Sequence, residues 1–252
     1  MISLKSKREM QIIQEAAEIL KKIFVKVKPM VKPGVTTDEM DQLAEKIIRE
    51  CGGTPAFKGY RGFSKTACIS INEEVVHGIP GPRRLVEGDL VSFDIGAKVD
   101  GYFADAARTW PVGEITKPKQ LLIDTARESM EAGLKAYRPG CRIGDLSESI
   151  QKLIESRGFQ VVRDYVGHGI GRALHEDPQV PNYGRAGHGP KIESGLVLAI
   201  EPMVTEGSCS VETLDDGWTV VTKDRKLSSH YEDTIAFTEG GYVNLTGGEK
   251  SS

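Results

Sequence analysis

The sequence predicts an α/β protein made of two similar halves. Segments with apolar residues at helical spacing alternate with short β-rich stretches along most of the chain. Two motifs recur in the same order and at nearly the same separation: Pro33-Gly34 matches Pro139-Gly140, and residues 88–94 match residues 195–201. We therefore expect each half to supply helices followed by a hairpin with an acid in its first strand.

Four helices are predicted. Ser6-Lys7-Arg8-Glu9 has the pattern of a capping box, in which a hydroxyl and a carboxylate satisfy free N–H groups at the start of a helix. The helix that follows is expected to end at Pro33-Gly34, and a second begins at Thr36 and ends at Gly52. Two further helices are expected over residues 119–136 and 145–156.

Six strands are predicted from apolar and β-branched runs between turn signals. Three belong to the first half, over residues 67–71, 90–96 and 101–110. Three belong to the second half, over residues 196–203, 218–222 and 230–238. The small, polar tail from Gly247 onwards is expected to be frayed.

Composition narrows the class of protein. The 252 residues include 33 basic and 36 acidic side chains, and a net charge of −3 gives no indication of nucleic acid binding. No run approaches the ~18 apolar residues of a membrane span, and the N-terminus has no signal-peptide apolar block. The four cysteines are scattered, which is typical of reduced thiols in the cytoplasm. We expect one domain over residues 1–252, with internal halves at about 4–112 and 113–245.

The first predicted hairpin carries two acids whose side chains we expect on one face of the sheet, because side chains alternate between the two faces along each strand. Asp94 lies inside an apolar strand, where a bare carboxylate is costly to bury, and Asp105 follows the turn signal Asp100-Gly101. A two-residue turn would make the two acids diagonal neighbours, and a four-residue turn would place them directly opposite. The alternative is that both acids simply lie on a solvated strand face.

The second half repeats the pattern with Glu201 and Glu232. Glu201 lies in a stretch too apolar for a surface strand, and Glu232 holds the position in its hairpin that Asp105 holds in the first. Four converging carboxylates would repel one another and raise their own pKa values. Two divalent cations would cancel that charge, as in two-metal hydrolytic sites.

Histidines complete the candidate site. His168, between two glycines, is the natural imidazole ligand beside four acids, and the resulting N/O set suits Mn, Fe, Co or Zn. His175 follows seven residues later, and His77 precedes a tight turn from which it could overhang the site. No chemical role is assigned to His188 or His230.

These motifs resemble those of the methionine aminopeptidases, specifically the shorter type I class. The resemblance runs from Leu4 to Gly241 and is strongest over residues 165–183, 70–80 and 200–203. It implies the pita-bread (creatinase/aminopeptidase) fold, in which two pseudo-symmetric halves form a curved antiparallel sheet with helices outside. It also implies a bacterial-type, monomeric, cytoplasmic enzyme without an N-terminal extension, acting on nascent chains near the ribosome and binding neither membrane nor nucleic acid.

The resemblance implies a set of five metal ligands. Asp105 and Glu232 would bridge two divalent cations, Asp94 would hold one of them, and His168 with Glu201 the other. Co, Mn, Fe, Zn and Ni are all compatible with these ligands. The implied reaction is removal of an N-terminal methionine, preferentially before a small, uncharged second residue.

The same resemblance assigns catalytic and substrate-binding roles. A metal-activated water would attack the first peptide bond, with Glu201 as proton acceptor, His175 stabilising the oxyanion and His77 orienting the scissile amide. The methionine pocket would be lined by His77 and by four further residues: Tyr60, Phe63, Cys68 and Trp218. The chain departs from the family pattern at Phe57, Leu174 and Ala106-Ala107, which leaves open the shape of the pocket and the support of Asp105.

Two other functions compete with this interpretation. A prolidase or aminopeptidase P would share the fold, but such relatives usually carry a substantial extra N-terminal domain. A non-catalytic binding module would typically lack several metal ligands, whereas this chain has all five.

Overall fold

The computed structural model describes residues 1–247, and four α-helices lie within that range. They are α1 (Lys7–Val27), α2 (Thr37–Glu50), α3 (Lys117–Lys135) and α4 (Ile143–Ser156). None of these helices has the length and apolar character needed to cross a membrane. Apart from Gly247, the predicted polar tail lies outside the described residues.

The helix boundaries follow the capping chemistry of the sequence. The predicted capping box of α1 is present, with Ser6 accepting from the backbone of Glu9 and Glu9 accepting from that of Ser6. Thr36 and Glu39 form the same arrangement at α2. The expected end of the first helix at Pro33-Gly34 is wrong, because α1 stops at Val27 and a short 3-10 turn follows. Pro29 lies in that turn and has no N–H with which to continue an α-helix.

Within the described range the chain forms fifteen strands, all paired antiparallel. The first half contains β1 (Thr54–Pro55), β2 (Ala67–Ile71), β3 (Glu74–Val76), β4 (Leu90–Val99) and β5 (Tyr102–Pro111). The second contains β6 (Gln160–Val161), β7 (Gly167–Gly169), β8 (Glu176–Val180), β9 (Val197–Ile200), β10 (Met203–Thr205), β11 (Val211–Thr213), β12 (Val220–Thr222), β13 (Ser228–His230), β14 (Asp233–Thr238) and β15 (Gly241–Asn244).

The strands form two larger and two smaller sheets. In the first half, β4 lies between β1 and β2 and also pairs with β5. In the second half, the larger sheet has the order β15-β14-β9-β7-β8. The smaller sheets have the orders β13-β10-β6 and β11-β12-β3.

Two predicted strands of the second half are each split. The strand expected over 196–203 ends at Ile200, and the one expected over 230–238 is interrupted between His230 and Asp233. Pro202 has no N–H to donate to a neighbouring strand. The chain therefore changes sheets at Glu201, since β9 pairs with β14 whereas β10 pairs with β13.

Each larger sheet packs against helices of its own half. Helix α1 contacts β4 and β5, where the rings of Phe24, Phe93 and Trp110 meet in a buried cluster. In the second half, apolar residues of α3 and α4 share a core with Leu198 of β9 and Phe237 of β14. The predicted α/β architecture of antiparallel sheets covered by helices is confirmed.

Strand β5 joins the two larger sheets. Ala107 and Glu232 exchange both backbone hydrogen bonds, with N···O distances of 3.2 and 3.0 Å. The Thr234 hydroxyl accepts from the backbone N–H of Asp105 at 3.0 Å and donates to its carbonyl at 2.8 Å. The acids of the first hairpin are thereby set beside the stretch of the second half that carries Glu232.

Candidate metal centre and pocket

Every residue that the sequence analysis places in the site lines one pocket where the two halves meet. The pocket has a volume of about 150 Å³. The lining residues predicted from the sequence are Tyr60, Phe63, Cys68, His77, Asp94, Asp105, His168, His175, Glu201, Trp218 and Glu232.

The first-half acids are placed by the register of a tight hairpin. Val99 pairs with Tyr102, so the turn has two residues, Asp100 and Gly101, both at positive φ as a type I′ turn requires. Asp94 then lies opposite Ala107 and Asp105 opposite Gly96, which makes the acids diagonal neighbours on one face. Of the two turn lengths considered from the sequence, the shorter is correct.

The second-half acids lie just outside the strands. Glu201 follows the last residue of β9, and its carbonyl accepts a hydrogen bond from the Asn182 amide at 3.0 Å. Glu232 precedes β14 and is tied through its backbone to Ala107, the residue opposite Asp94. Both pairs of acids therefore point into the same space.

His168 comes to this space on β7, beside Ala199 of β9. Its Nδ1 lies 2.9 Å from the carbonyl of Gly169, which fixes Nδ1 as the protonated nitrogen. The free lone pair on Nε2 then faces the acids, 3.5 Å from Oε1 of Glu201. Burial, and next the neighbouring His175, lower the pKa of His168 to about 4, so the ring is neutral near pH 7. A neutral, oriented imidazole is the form that binds a metal.

The carboxylates are in an environment that opposes their charge. Burial raises the pKa of Asp94, Asp105, Glu201 and Glu232, in each case as the largest cause. Repulsion from the other acids adds to the increase for Asp94, Glu201 and Glu232. A cluster of this kind needs either protons or cations to be stable.

The residues present fit a metal. One oxygen each of Asp94, Asp105 and Glu232 is buried and has no hydrogen-bond partner within residues 1–247. Ligand atoms of Asp105, His168 and Glu232 all lie within 4.8 Å of one another. Buried carboxylate oxygens without partners, beside a neutral imidazole, form the N/O donor set that divalent transition metals prefer.

Two further histidines border the acids. His175 places Nδ1 2.9 Å from the Tyr60 hydroxyl and stacks on that ring, and its own ring lies 4.2 Å from that of His168. His77 has a left-handed φ of 61°, which is uncommon for a residue with a side chain. Gly78 makes this turn possible, because a Cβ there would approach the Ile69 carbonyl oxygen to 2.4 Å. Backbone strain of this kind is concentrated at functional sites.

Aromatic side chains form the apolar wall of the pocket. The Phe63 and Trp218 rings meet edge to face at 5.1 Å, and His77 lies 6.3 Å from Trp218. Burial, followed by the negative charge of Asp94, raises the pKa of the Cys68 thiol, which is therefore neutral and apolar in character. Two of the residues that depart from the family pattern, Phe57 and Leu174, line the same pocket and keep its wall apolar.

Two residues near the site were given no role in the sequence analysis. Arg61 lines the pocket, and no sequence pattern pointed to it. His230 is 2% exposed, and its Nε2 lies 3.9 Å from Oε2 of Glu201. Its position two residues before Glu232, on the same face of an extended chain, is the signal that could have identified it. His188 lies exposed outside the pocket.

Comparisons with known proteins identify the family to which the chain belongs. Residues 11–239 match the model of metallopeptidase family M24. The chain is 50% identical to methionine aminopeptidase 1 of Bacillus subtilis, over 98% of this chain and 99% of that protein. A crystal structure of methionine aminopeptidase from Thermotoga maritima superposes with a TM-score of 0.96 at 44% identity, covering 98% of this chain and 100% of the other.

A more distant structure shares the architecture. The prolidase from Pyrococcus furiosus has a TM-score of 0.79 at 25% identity, and the match covers 98% of this chain but 66% of the prolidase. Together with the Thermotoga structure, this similarity confirms the predicted pita-bread fold.

Proposed function

Because the chain belongs to metallopeptidase family M24, we propose that it removes the N-terminal methionine from peptides and newly made proteins. The observation that carries this proposal is the convergence of four acids, two of them buried and two partly buried, and a neutral imidazole in an apolar, aromatic-lined pocket. The free α-amine of a peptide N-terminus would be a further ligand for cations held by these acids, and the aromatic wall of the pocket suits an apolar side chain. Similarity to relatives named methionine aminopeptidases supports methionine as that residue.

We propose that two divalent cations are held by the five residues that converge here. Asp105 and Glu232 would be shared by both cations, Asp94 would bind one, and His168 and Glu201 the other. Unpartnered oxygens on Asp94, Asp105 and Glu232 support this assignment. When bound, the cations supply a water of lowered pKa, from ~15.7 towards ~7, and polarise the carbonyl of the first peptide bond.

The protein's own residues orient the substrate and move the proton. Glu201 would accept the proton of the attacking water; its carboxylate oxygens lie 3.5 Å from Nε2 of His168 and 3.9 Å from Nε2 of His230. We assign the Tyr60 hydroxyl as the donor to Nδ1 of His175, which leaves a proton on Nε2 of that ring to stabilise the developing oxyanion. His77, held in a strained turn beside Trp218, would orient the scissile amide.

Substrate selection follows from the wall of the pocket. A thioether makes favourable contacts with aromatic edges such as those of Phe63 and Trp218. We expect the second residue of the substrate to be small and uncharged, as the resemblance to the methionine aminopeptidases implies.

The proposal is tested by mass-spectrometric analysis of the tripeptide Met-Ala-Ser. The chelated protein is reconstituted with Mn²⁺, and the metal-free protein serves as its control. We expect free methionine only with the metal, and none from the N-acetylated tripeptide, which has no free α-amine.

Other outcomes would replace the proposal with a named alternative. A protein that binds metal stoichiometrically but leaves Met-Ala-Ser intact would be tested on Xaa-Pro peptides as a prolidase. A protein that neither binds metal nor releases methionine would be a binding module.

We also propose that the chain acts as a single catalytic domain, as a cytoplasmic monomer, and in association with the ribosome. Its four cysteines are free, with Cys68 and Cys141 buried, which suits a reducing compartment. Sedimentation with purified ribosomes and size-exclusion chromatography would test the last two statements.

A further inference from the structure

We propose that Lys5 and Glu176 form a positioning pair for His175, so that the segment before α1 belongs to the catalytic apparatus. This inference rests on the role proposed for His175. Neither residue lines the pocket; both would act through the loop that carries the histidine.

The loop between β7 and β8 ends at Glu176, the residue directly after His175. One oxygen of the Glu176 carboxylate accepts the backbone N–H of Ala173 at 3.0 Å. The other accepts from the Lys5 ammonium at 2.6 Å. The same carboxylate thus holds the loop on both sides of His175, and Lys5 determines where that carboxylate lies.

The pair is built into the interior of the protein. The Lys5 side chain is 2% exposed and that of Glu176 is 14% exposed. Lys5 also donates its ammonium to the Ser3 carbonyl at 2.8 Å and its backbone N–H to the Gly195 carbonyl at 2.6 Å. A lysine buried to this degree is rare unless it is paired, and a buried pair is far less screened than a surface pair.

Two glycines open the slot that receives Lys5. A Cβ on Gly171 would come within 2.4 Å of the Lys5 side chain and 2.8 Å of the Glu176 carboxylate. A Cβ on Gly195 would come within 2.9 Å of the Lys5 carbonyl oxygen. The absence of side chains at these two glycines of the second half therefore leaves space for the segment that carries Lys5.

Removing the Lys5 charge should displace His175. Glu176 would keep a largely buried charge without its partner, and the carboxylate would turn towards solvent and pull on Ala173. The contact between His175 Nδ1 and the Tyr60 hydroxyl, now 2.9 Å, would lengthen. A misplacement of about 1 Å in a catalytic group costs on the order of 100-fold in rate.

The same loop offers a matched control. Arg172 forms a pair with Glu9, also near the start of α1, at 3.5 Å. The Arg172 side chain is 72% exposed, so its pair is of the weak surface type. Arg172→Gln therefore removes a charge from the loop without disturbing the buried anchor.

The test combines kinetics with a signal from the histidine itself. Lys5→Met, Glu176→Gln, the double variant and Arg172→Gln are compared with the unaltered Mn²⁺-loaded enzyme on Met-Ala-Ser. Side-chain ¹⁵N spectra are recorded on the zinc-loaded forms, where the chain's five histidines allow the His175 ring to be assigned. Thermal unfolding and bound metal are measured on every variant.

We expect Lys5→Met and Glu176→Gln each to lower kcat about 10- to 100-fold, with KM and bound metal nearly unchanged and the His175 ring resonances shifted. The double variant should be no slower than the slower single variant, because both act through one pair. Arg172→Gln should match the unaltered enzyme. If Lys5→Met does not fold, Glu176→Gln, which keeps the shape of the side chain, provides the same comparison.

A purely structural role would lower the unfolding temperature while leaving kcat and the His175 resonances unchanged, and this result would overturn the inference. Failure of the proposed function looks different. In that case the unaltered enzyme itself releases no methionine, and the His175 resonances alone decide whether the pair positions the ring.

Discussion

The two halves of the site hold their acids by different means. In the first half, Asp94 and Asp105 lie inside a continuous ladder between β4 and β5, closed by a two-residue turn. In the second half, Glu201 and Glu232 lie at the ends of β9 and β14, and the chain between them passes through four other strands.

Groups from distant parts of the chain compensate for this difference. The Asn182 amide donates to the Glu201 carbonyl, and the Arg108 guanidinium donates to the Glu232 carbonyl at 2.6 Å. Arg108 also pairs with Asp233 at 2.6 Å, with side chains 4% and 1% exposed. The first pair of acids is thus placed mainly by the backbone ladder of one hairpin, whereas the second pair depends in addition on side chains that reach across the fold.

The largest expected effect is on kcat, where an acid of the second half that accepts a proton should differ from an acid of the first half that only binds metal. Glu201→Gln should lower kcat by about 10²–10⁴-fold beyond any loss of metal, because the amide cannot accept a proton. Asp94→Asn is the first-half counterpart, since it removes a proposed ligand but no proton acceptor. Steady-state kinetics at saturating Mn²⁺, with bound metal quantified, would measure both.

If kcat fell equally in the two variants after correction for metal content, the role of Glu201 as the base would be contradicted. Such a result would show that both halves contribute ligands alone.

The next effect is on the free energy of unfolding, and it tests which interactions hold each pair of acids in place. Arg108→Met leaves Asp233 buried without its cation and should lower the free energy of unfolding by about 3–5 kcal/mol. Ser92→Ala is the matched change in the first hairpin, because it removes a buried hydrogen bond between Ser92 and Thr109 of 2.8 Å. Its expected cost is about 1 kcal/mol.

Urea denaturation of the metal-free proteins would measure both costs without interference from ligand binding. If Arg108→Met cost no more than Ser92→Ala, the second half would not depend on long-range support as we infer.

The smallest expected effect is also on stability, and it tests the two-residue turn between β4 and β5. Gly101 has a φ of +85°, so Gly101→Ala should cost about 1–2 kcal/mol through strain in the left-handed region. Gly81→Ala is the control, because that glycine has no such φ and open space around its Cβ position. Metal stoichiometry should stay unchanged in both, since the ladder of β4 and β5 fixes the acids.

Loss of metal binding in Gly101→Ala, with the protein still folded, would contradict this view. It would mean that the turn, and not the ladder, places Asp94 and Asp105.

Much of the candidate site could be predicted because its residues occupy regular local patterns. Side-chain alternation puts Asp94 and Asp105 on one face for either turn length, so this prediction needed no knowledge of the rest of the fold. The capping boxes of α1 and α2 also involve residues only three positions apart. Prediction was weaker at Glu201, where a continuous strand was expected and Pro202 instead sends the chain into another sheet.

The sequence by itself predicted the four helices, six strand-forming regions and the set of four acids and three histidines, because hydrophobic periodicity, capping and motif spacing act over a few residues. Only the tertiary structure decided how the halves meet. The contacts of Asp105 with Thr234 and of Lys5 with Glu176 join residues 129 and 171 positions apart. No local pattern encodes such pairs, since they form only when the packing of both halves brings their backbones together.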